Sequence, residues 1–314
     1  MQKQTPDISV VYVNYKTINL IVNSIDSLIK KTKAISYEII VVDNNSNDDF
    51  SIIINKQFGS QIKCIALNEN LGFGKANNEG YKIANGRNIF FLNPDTIILN
   101  NALKILSDYL DQNDKVGVCG GNLYDENMEP THSYCTFIPS ISFELKNCLF
   151  PIVKLETLFG ENYEFNNSNR PKKVKYISGA DIMIKNDVLK KCGTFSNDFF
   201  MYYEETELCF RIRKNGFDIV SIPNAHIQHL EGKSFQIDPK DFEKIRKKRL
   251  IALDGEKIFY KLCYSKLYIL ILLLIKGVST YSKFFVAKII NDKNLLVYNE
   301  NKLNYLILIK NNEQ

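Results

Sequence analysis

Phe90-Phe91-Leu92-Asn93-Pro94-Asp95-Thr96 is the stretch on which the reading of this chain turns. The apolar run Ile89 to Leu92 has the composition of a buried strand, and it stops at a polar turn. Pro94 has no N–H to give a sheet ladder, so the strand must end before it. Asp95 then falls just past the carboxyl end of a strand, where open α/β sheets bind their ligands. One carboxylate there suits a hard cation that keeps several waters and takes its other ligands from a substrate diphosphate. Asn-Pro-Asp is also common turn composition. On its own the stretch leaves both readings open.

The segments before it repeat one pattern. Ile8 to Tyr15 is β-branched and apolar throughout, the mark of a central parallel strand covered on both faces. Asn19 to Ile29 carries apolar residues at helical spacing, and Tyr37 to Val42 is the next strand. Strand, helix and strand at this spacing make a βαβ unit with a right-handed crossover. That unit delivers Asp43, followed by Asn44-Asn45-Ser46-Asn47, to another carboxyl strand end, the place to recognise a base or ribose. The same residues could simply cap the next helix. Ile62 to Leu67 reads as a third strand, running into Asn70-Leu71-Gly72-Phe73-Gly74, whose glycines allow close backbone approach to a ligand. A helix over Ala76–Ala84 follows, with Asn77 on its first turn. Its spacing matches neither a dinucleotide fingerprint nor a P-loop.

Past the opening stretch, Asn101 to Leu110 is an amphipathic helix and Val116 to Cys119 a short strand. From 122 to 175 the pattern breaks into aromatic, Asn-rich sequence punctuated by Pro130, Pro139, Pro151 and Pro171. This reads as an insertion over the sheet edge, with a helical piece near Ile141–Leu149 and a mobile loop near Asn162–Pro171, of the kind that covers active sites. Lys175 to Ile184 is a strand containing Gly179-Ala180-Asp181, with the glycine where an incoming group could approach. An aromatic run then meets Glu204, Glu205 and Glu207; on a helix starting near Glu204, Glu204 and Glu207 share a face and Glu205 points about 100° away. Acidic residues in a first turn are also favoured by the helix dipole alone. Phe217 to Ile222 is a strand, and the polar, Gly-containing loop after Pro223 holds His226 and His229, two of the three histidines. His229 in such a loop is a candidate metal or phosphate ligand.

Composition bounds the class. The 314 residues are 45% hydrophobic and 24% charged, with net charge +5, a mild bias that gives no nucleic-acid signature. Seven scattered cysteines with no metal-type spacing fit a reducing cytosol, and the polar start, Met1 to Asp7, gives no signal peptide, so the expected location is cytoplasmic. After Ser234 the composition changes. Lys244 to Arg249 is basic, a helix continues over Leu250–Tyr264, and Leu267 to Ile275 is unbroken apolar sequence between Lys266 and Lys276. That run is shorter than the roughly 20 residues of a membrane span. It fits either an interfacial helix on an anionic leaflet or a helix packed on the domain. The expected division is 1–235, containing the insertion 122–175, and a helical extension 236–314.

Taken in order, Val11-Tyr12-Val13-Asn14-Tyr15, Val42-Asp43-Asn44-Asn45-Ser46, Asn70-Leu71-Gly72-Phe73-Gly74, Asn93-Pro94-Asp95-Thr96, Gly179-Ala180, Glu204-Glu205-Thr206-Glu207-Leu208-Cys209-Phe210-Arg211 and His229-Leu230-Glu231-Gly232-Lys233-Ser234 resemble a family-2 inverting glycosyltransferase of the bacterial rhamnosyltransferase-like branch. The resemblance covers roughly Ile8 to Ser234. It implies an α/β GT-A fold, Rossmann-like, with a mixed, mostly parallel sheet. It implies a sugar moved with inversion from a nucleotide-diphosphate donor, dTDP-rhamnose or a UDP-sugar, to a saccharide acceptor in bacterial surface polysaccharide assembly. Lipid linkage of the acceptor would bring the enzyme to the inner face of the cell membrane.

Carried over by position, Asn14, Asp43, Asn45, Asn70, Gly72, Gly74, Asn77 and Asn93 would line the donor and nucleotide pocket. Asp95 and His229 would hold Mg2+ or Mn2+. Gly179, Ala180, Asp181 and Glu204 would lie on the acceptor side, and Glu205 stands where the family has its catalytic base. Asn93 replaces an acidic residue of the usual metal motif, and Glu205 and Glu207 replace Asp. One added methylene moves a carboxylate by an ångström or more, and a misplacement of about 1 Å costs roughly 100-fold in rate. Two other classes compete. A nucleotidyltransferase would carry a Gly-rich, Arg/Lys-bearing loop after the first strand, and Asn14-Tyr15-Lys16-Thr17 is not one. An inactive nucleotide-sugar-binding module would explain the Asp-to-Glu changes.

Overall fold

The computed structural model describes residues 5–46, 49–149, 164–230 and 242–289. Glu231 to Ser234 of the last motif, and the tail from 291 with its apolar patch at 303–309, lie outside them. The chain forms two compact units, the larger drawn from Met1–Thr136 and Tyr163–Phe259, the smaller from Phe137–Asn162 and Tyr260–Gln314.

The larger unit begins β1 (Ile8–Asn14), α1 (Ile18–Lys31), β2 (Tyr37–Asp43), α2 (Phe50–Phe58), β3 (Lys63–Ala66), α3 (Phe73–Tyr81) and β4 (Asn88–Leu92). This is the βαβ alternation that the apolar periodicity predicts. All seven residues of β1 are buried, and they alternate between two cores. Val10 and Tyr12 pack with Ile18, Ile21, Ile25 and Leu28 of α1, while Val11 and Val13 pack with Ala76 of α3 on the opposite face. A continuous apolar strand is what helices on both faces require. Each fully buried aliphatic side chain of α1 contributes about 1.5–3 kcal/mol relative to leaving it in water.

There follow β5 (Thr96–Ile98), α4 (Ala102–Gln112), β6 (Val116–Tyr124), β7 (Tyr134–Cys135), the helix α5 (Ile141–Leu149) of the smaller unit, β8 (Lys172–Lys173), β9 (Tyr176–Ile177), β10 (Asp181–Lys185), α6 (Asn186–Cys192), α7 (Glu204–Lys214) and β11 (Asp218–His229). Nine strands make one sheet in the order β3-β2-β1-β4-β10-β6-β11-β5, with β8 beside β11, and β7 pairs with β9 separately. β1, β2, β3, β4, β6 and β11 run one way, and β10, β5 and β8 run against them. The sheet is mixed and mostly parallel.

Three expectations need correction. The strand from Phe217 does not end at Pro223: β11 continues to His229, so His226 and His229 stand on a strand and not in a loop. Pro223 falls within a register shift between Ser221 and His226, an irregularity that tolerates a residue without an N–H. The segment Lys175–Ile184 is not one strand, because Ser178 to Ala180 separates β9 from β10. The described part of the expected mobile loop is pinned: the side-chain amide of Asn122 donates to Asn166 O (3.0 Å), and the Tyr134 hydroxyl donates to Phe165 O (2.9 Å). The helix expected near Ile141–Leu149 is present, and Cys64, Cys119, Cys192 and Cys209 are free thiols.

α8 (Phe242–Cys263) leads into the smaller unit, where α9 (Lys266–Ile289) packs against α5. The Tyr268 hydroxyl accepts from Ile141 N (3.1 Å), and the Tyr264 hydroxyl donates to Pro139 O (2.7 Å). The apolar run at 267–275 proves to be part of a 24-residue helix. Contrary to the length argument from sequence, Lys266–Phe285 is long and apolar enough to cross a bilayer by length and composition.

Candidate active site

β2, β1 and β4 lie side by side and parallel, with Asn14 registered against Asp43. Their carboxyl ends therefore bring Asn14, Asp43 and, just past the end of β4, Asp95 to one edge of the sheet. At this edge Asp43 is held from two sides. Its Oδ1 accepts from the Asn14 amide at 2.7 Å and its Oδ2 from Ser46 N at 3.1 Å. The other end of Asn14 accepts from Thr17 N at 3.0 Å. Between Asp43 and Ser46 the chain turns through Asn45 in left-handed backbone, φ 63°, a conformation that Asn tolerates better than most residues.

The next layer is the 70–74 loop. Asn70 Oδ1 accepts from the Asn44 amide (2.8 Å) and from Gly72 N (2.9 Å), while Asn44 Oδ1 accepts from Leu71 N (2.8 Å). The glycines here admit the chain itself. A Cβ on Gly72, whose φ is +82°, would lie 2.0 Å from Phe200 O, and one on Gly74 would lie 3.0 Å from Phe195 Cβ and 3.5 Å from Glu204 Cβ. The loop is thereby locked against the segment that carries the glutamates. Asn77 is 1% exposed and its amide donates to Phe73 O (3.1 Å), inside its own helix.

Asp95 is buried, and its Oδ1 lies 3.4 Å from His229 Nε2, which is itself 3.5 Å from the Asn93 amide. Three backbone and side-chain bonds fix this turn: Asn93 N to Ala180 O (2.9 Å), Thr96 Oγ1 to Asn93 O (2.7 Å) and Leu230 N to Asp95 O (2.9 Å). The extension of β11 is what delivers His229 to Asp95. The pair fits a divalent cation: two ligand atoms each about 2.1 Å from one ion, at a tetrahedral-to-octahedral angle, stand roughly 3.0–3.4 Å apart. Among the described residues no group of three or more His, Cys, Asp and Glu gathers into a complete cage. A cation here would draw its remaining ligands from a diphosphate and water.

The second bank is the entry to α7. Tyr202 and Tyr203 are both left-handed, each with φ 70°, immediately before Glu204. Two consecutive non-glycine residues in that region cost energy that the surroundings must hold in place. Glu204 is 4% exposed, and its Oε2 has no hydrogen-bond partner among the described residues. Burial, and then the charge of Glu205, push its carboxyl well above the usual carboxylate range. Glu205 is half-buried, and burial raises its pKa as well, opposed by hydrogen bonds from backbone N–H groups and by the nearby His132. Glu204 is the deeper of the two and the more strongly raised. Gly179 faces it: a Cβ there would stand 3.8 Å from Glu205 Cγ and from Phe73 Cε1.

Two other acidic residues are engaged elsewhere. Glu207 forms a two-pronged ion pair with Arg211 (2.8 and 2.7 Å). Asp181 is fully buried, its Oδ2 accepting from Gly121 N (2.6 Å), and burial lifts its pKa well above the usual range. Ala180, 2% exposed, contributes its carbonyl to Asn93. Residues that sequence reasoning missed include Thr17, Asn44 and Ser46, whose signal was only an Asn/Ser-rich turn. His132, paired with Glu164 at 3.3 Å and facing Tyr176 with ring centroids 6.4 Å apart, was hidden in the irregular insertion.

Comparison with known proteins adds the following. A family model described as glycosyl transferase family 2 matches residues 9–193. The chain is 26% identical over 231 residues to the dTDP-rhamnosyl transferase RfbF of Shigella flexneri, covering 72% of this chain and 71% of that one. It is 26% identical over 225 residues to the low-salt glycan biosynthesis hexosyltransferase Agl10 of Haloferax volcanii, covering 69% of this chain but 65% of that protein. A shorter match, 38% over 88 residues, covers 28% of this chain and 35% of the Escherichia coli UDP-Glc:alpha-D-GlcNAc-diphosphoundecaprenol beta-1,3-glucosyltransferase WfaP. Among solved structures, GalNAc-T7 with UDP, GalNAc and Mn2+ superposes with TM-score 0.53 at 14% identity, covering 83% of this chain and 57% of that one. TarS of S. aureus gives TM-score 0.51 at 19% identity, with 82% and 42% covered. At such identities the likeness is one of fold, the GT-A fold.

Proposed function

Because the chain belongs to glycosyl transferase family 2, we propose that it moves a hexose from a nucleotide-diphosphate donor, dTDP-rhamnose or a UDP-sugar, to a saccharide acceptor with inversion. The observation that carries this reading is the pairing of Asp95 with His229 at 3.4 Å, at the same sheet edge as the Asn14–Asp43 corner. Asp43 and Asn14 bind the base or ribose. Asn70 and Asn93 line the donor pocket, and Gly179 leaves room for the acceptor beside Glu205. Asp95 and His229 hold a divalent cation, Mn2+ or Mg2+, which when bound supplies positive charge to the departing diphosphate.

Glu205 takes the proton of the acceptor hydroxyl as the glycosidic bond forms. Its raised pKa makes it a stronger base than an exposed carboxylate. The nucleotidyltransferase alternative finds no support in the loop after β1, where Lys16 N is bonded to Ser46 Oγ (3.0 Å) in a tight turn.

The acceptor is proposed to be lipid-linked, with the chain on the inner face of the membrane. Leu267, Leu270, Leu274, Val278, Tyr281 and Phe285 support this, since all six are exposed along one face of α9. Such a stripe suits an in-plane interfacial helix. Flotation with anionic vesicles checks it: Leu274→Glu with Val278→Glu should abolish flotation, and a wild-type chain that never floats contradicts it. The reaction is tested by incubating the chain with Mn2+, a panel of dTDP- and UDP-sugars and GlcNAc-diphosphoundecaprenol. Nucleoside diphosphate release coupled to a longer lipid-linked glycan is the expected result. Release of pyrophosphate instead would overturn the proposal in favour of nucleotidyl transfer.

A further inference from the structure

At the far end of α7 from the glutamates, the larger unit contains a cavity of about 190 Å3 lined by Thr136, Lys173, Val174, Lys175, Arg213, Asp218 and Ile219. Arg213 stands eight residues after Glu205 on that helix, so the cavity is about 12 Å along the axis from the proposed base. Its polar lining is almost all donor. Lys173 is paired with Asp218 at 2.7 Å. Lys175 and Arg213 have no ion-pair or side-chain hydrogen-bond partner among the described residues, and the buried hydroxyl of Thr136 has none either. Three cations against one carboxylate leave the lining at 3 − 1 = +2. Half-burial, and then the charge of Arg213, lower the pKa of Lys175. An arginine fork beside a part-buried lysine and a buried hydroxyl is a donor set for a tetrahedral oxyanion.

We propose that this cavity is a phosphate-binding site, separate from the nucleotide corner, in which Arg213, Lys175 and Thr136 bind the oxygens of a phosphate group. Free phosphate supplies that chemistry, and so does the phosphate of a lipid headgroup. A second cavity of about 430 Å3, lined by Tyr109, Gln112, Pro171 and others, meets the first at the shared residues Lys173 and Asp218. It gives room for whatever organic body carries the phosphate.

The test is calorimetric titration of the full chain with inorganic phosphate in EDTA, so that no divalent metal assists the nucleotide corner, at ionic strength fixed with chloride. A parallel arm uses phosphatidylcholine vesicles with and without phosphatidic acid. Phosphate should bind wild type, and Arg213→Gln and Lys175→Met should each weaken it by at least about tenfold, the scale of a charge-assisted contact. Thr136→Val should weaken it less. Both variants should keep wild-type affinity for nucleoside diphosphate with Mn2+, which also reports an intact fold. Binding of phosphatidic acid vesicles alone, lost in the same variants, supports the cavity and names a headgroup as the source. No binding in either arm, or binding that both variants leave unchanged, overturns the proposal.

Discussion

Two banks face the same site, and they are built on opposite terms. At the nucleotide corner Asp43, Asn14, Ser46, Asn44 and Asn70 satisfy one another through bonds of 2.7 to 3.1 Å. At the entry to α7, Glu204 Oε2 and the Tyr202 hydroxyl are buried without partners among the described residues, behind two left-handed tyrosines. A corner whose polar atoms are already paired holds its shape before a ligand arrives. A bank with raised, underpaired carboxyls gives up stability, and such groups cluster where proton transfer is done. The difference separates binding from chemistry.

Substitutions can break this contrast, the most damaging first. Glu205→Gln should cut transfer by roughly 10²–10⁴-fold, the range of a lost general base, with no loss of stability. Stopped single-turnover transfer measures it, and near wild-type rate would take the proton step away from this residue. Gly72→Ala attacks the lock between the banks, since its Cβ would meet Phe200 O at 2.0 Å in a left-handed backbone. It should cost about 3 kcal/mol, in the upper part of the range for single changes, read from denaturant midpoints.

Two isosteric swaps then compare the banks directly. Asp43→Asn puts an amide donor against donors from Asn14 and Ser46 and should destabilise by about 1–3 kcal/mol. Glu204→Gln removes a buried carboxyl whose pKa is raised and whose Oε2 has no partner among the described residues, and it should cost less than about 1 kcal/mol. Folding raises the pKa of Glu204, so the native carboxyl costs more stability as pH climbs. The Gln variant should therefore gain on wild type as pH rises above the ordinary carboxylate value of 4.5. Equal losses for the two swaps would erase the contrast. The mildest effect is on the pH profile. Glu205 must be ionised to accept a proton and its pKa is raised, so the acid limb of kcat/KM should lie above the ordinary carboxylate value of 4.5.

The sequence made the first bank legible because parallel strands write their carboxyl ends plainly: an apolar run, then Asn, Asp or Pro. Asp43 and Asp95 could be placed from that punctuation alone. Other features escaped for physical reasons. Pro223 looked like a strand end, yet a register shift absorbs it and carries His229 onto the sheet. Gly72 and Gly74 announced a close approach without saying to what, and the answer was Phe200 and Phe195, more than a hundred residues away. His132 and Glu164 sit in sequence without periodicity, held by contacts that only the folded chain defines.

Asp95 is the residue through which metal and nucleotide are proposed to bind together. Titration of a nucleoside diphosphate with and without Mn2+ into wild type, Asp95→Ala and Glu205→Gln reads that directly. The metal-dependent gain in affinity should vanish in Asp95→Ala and persist in Glu205→Gln. A gain that survives the loss of Asp95, or disappears with Glu205, contradicts it.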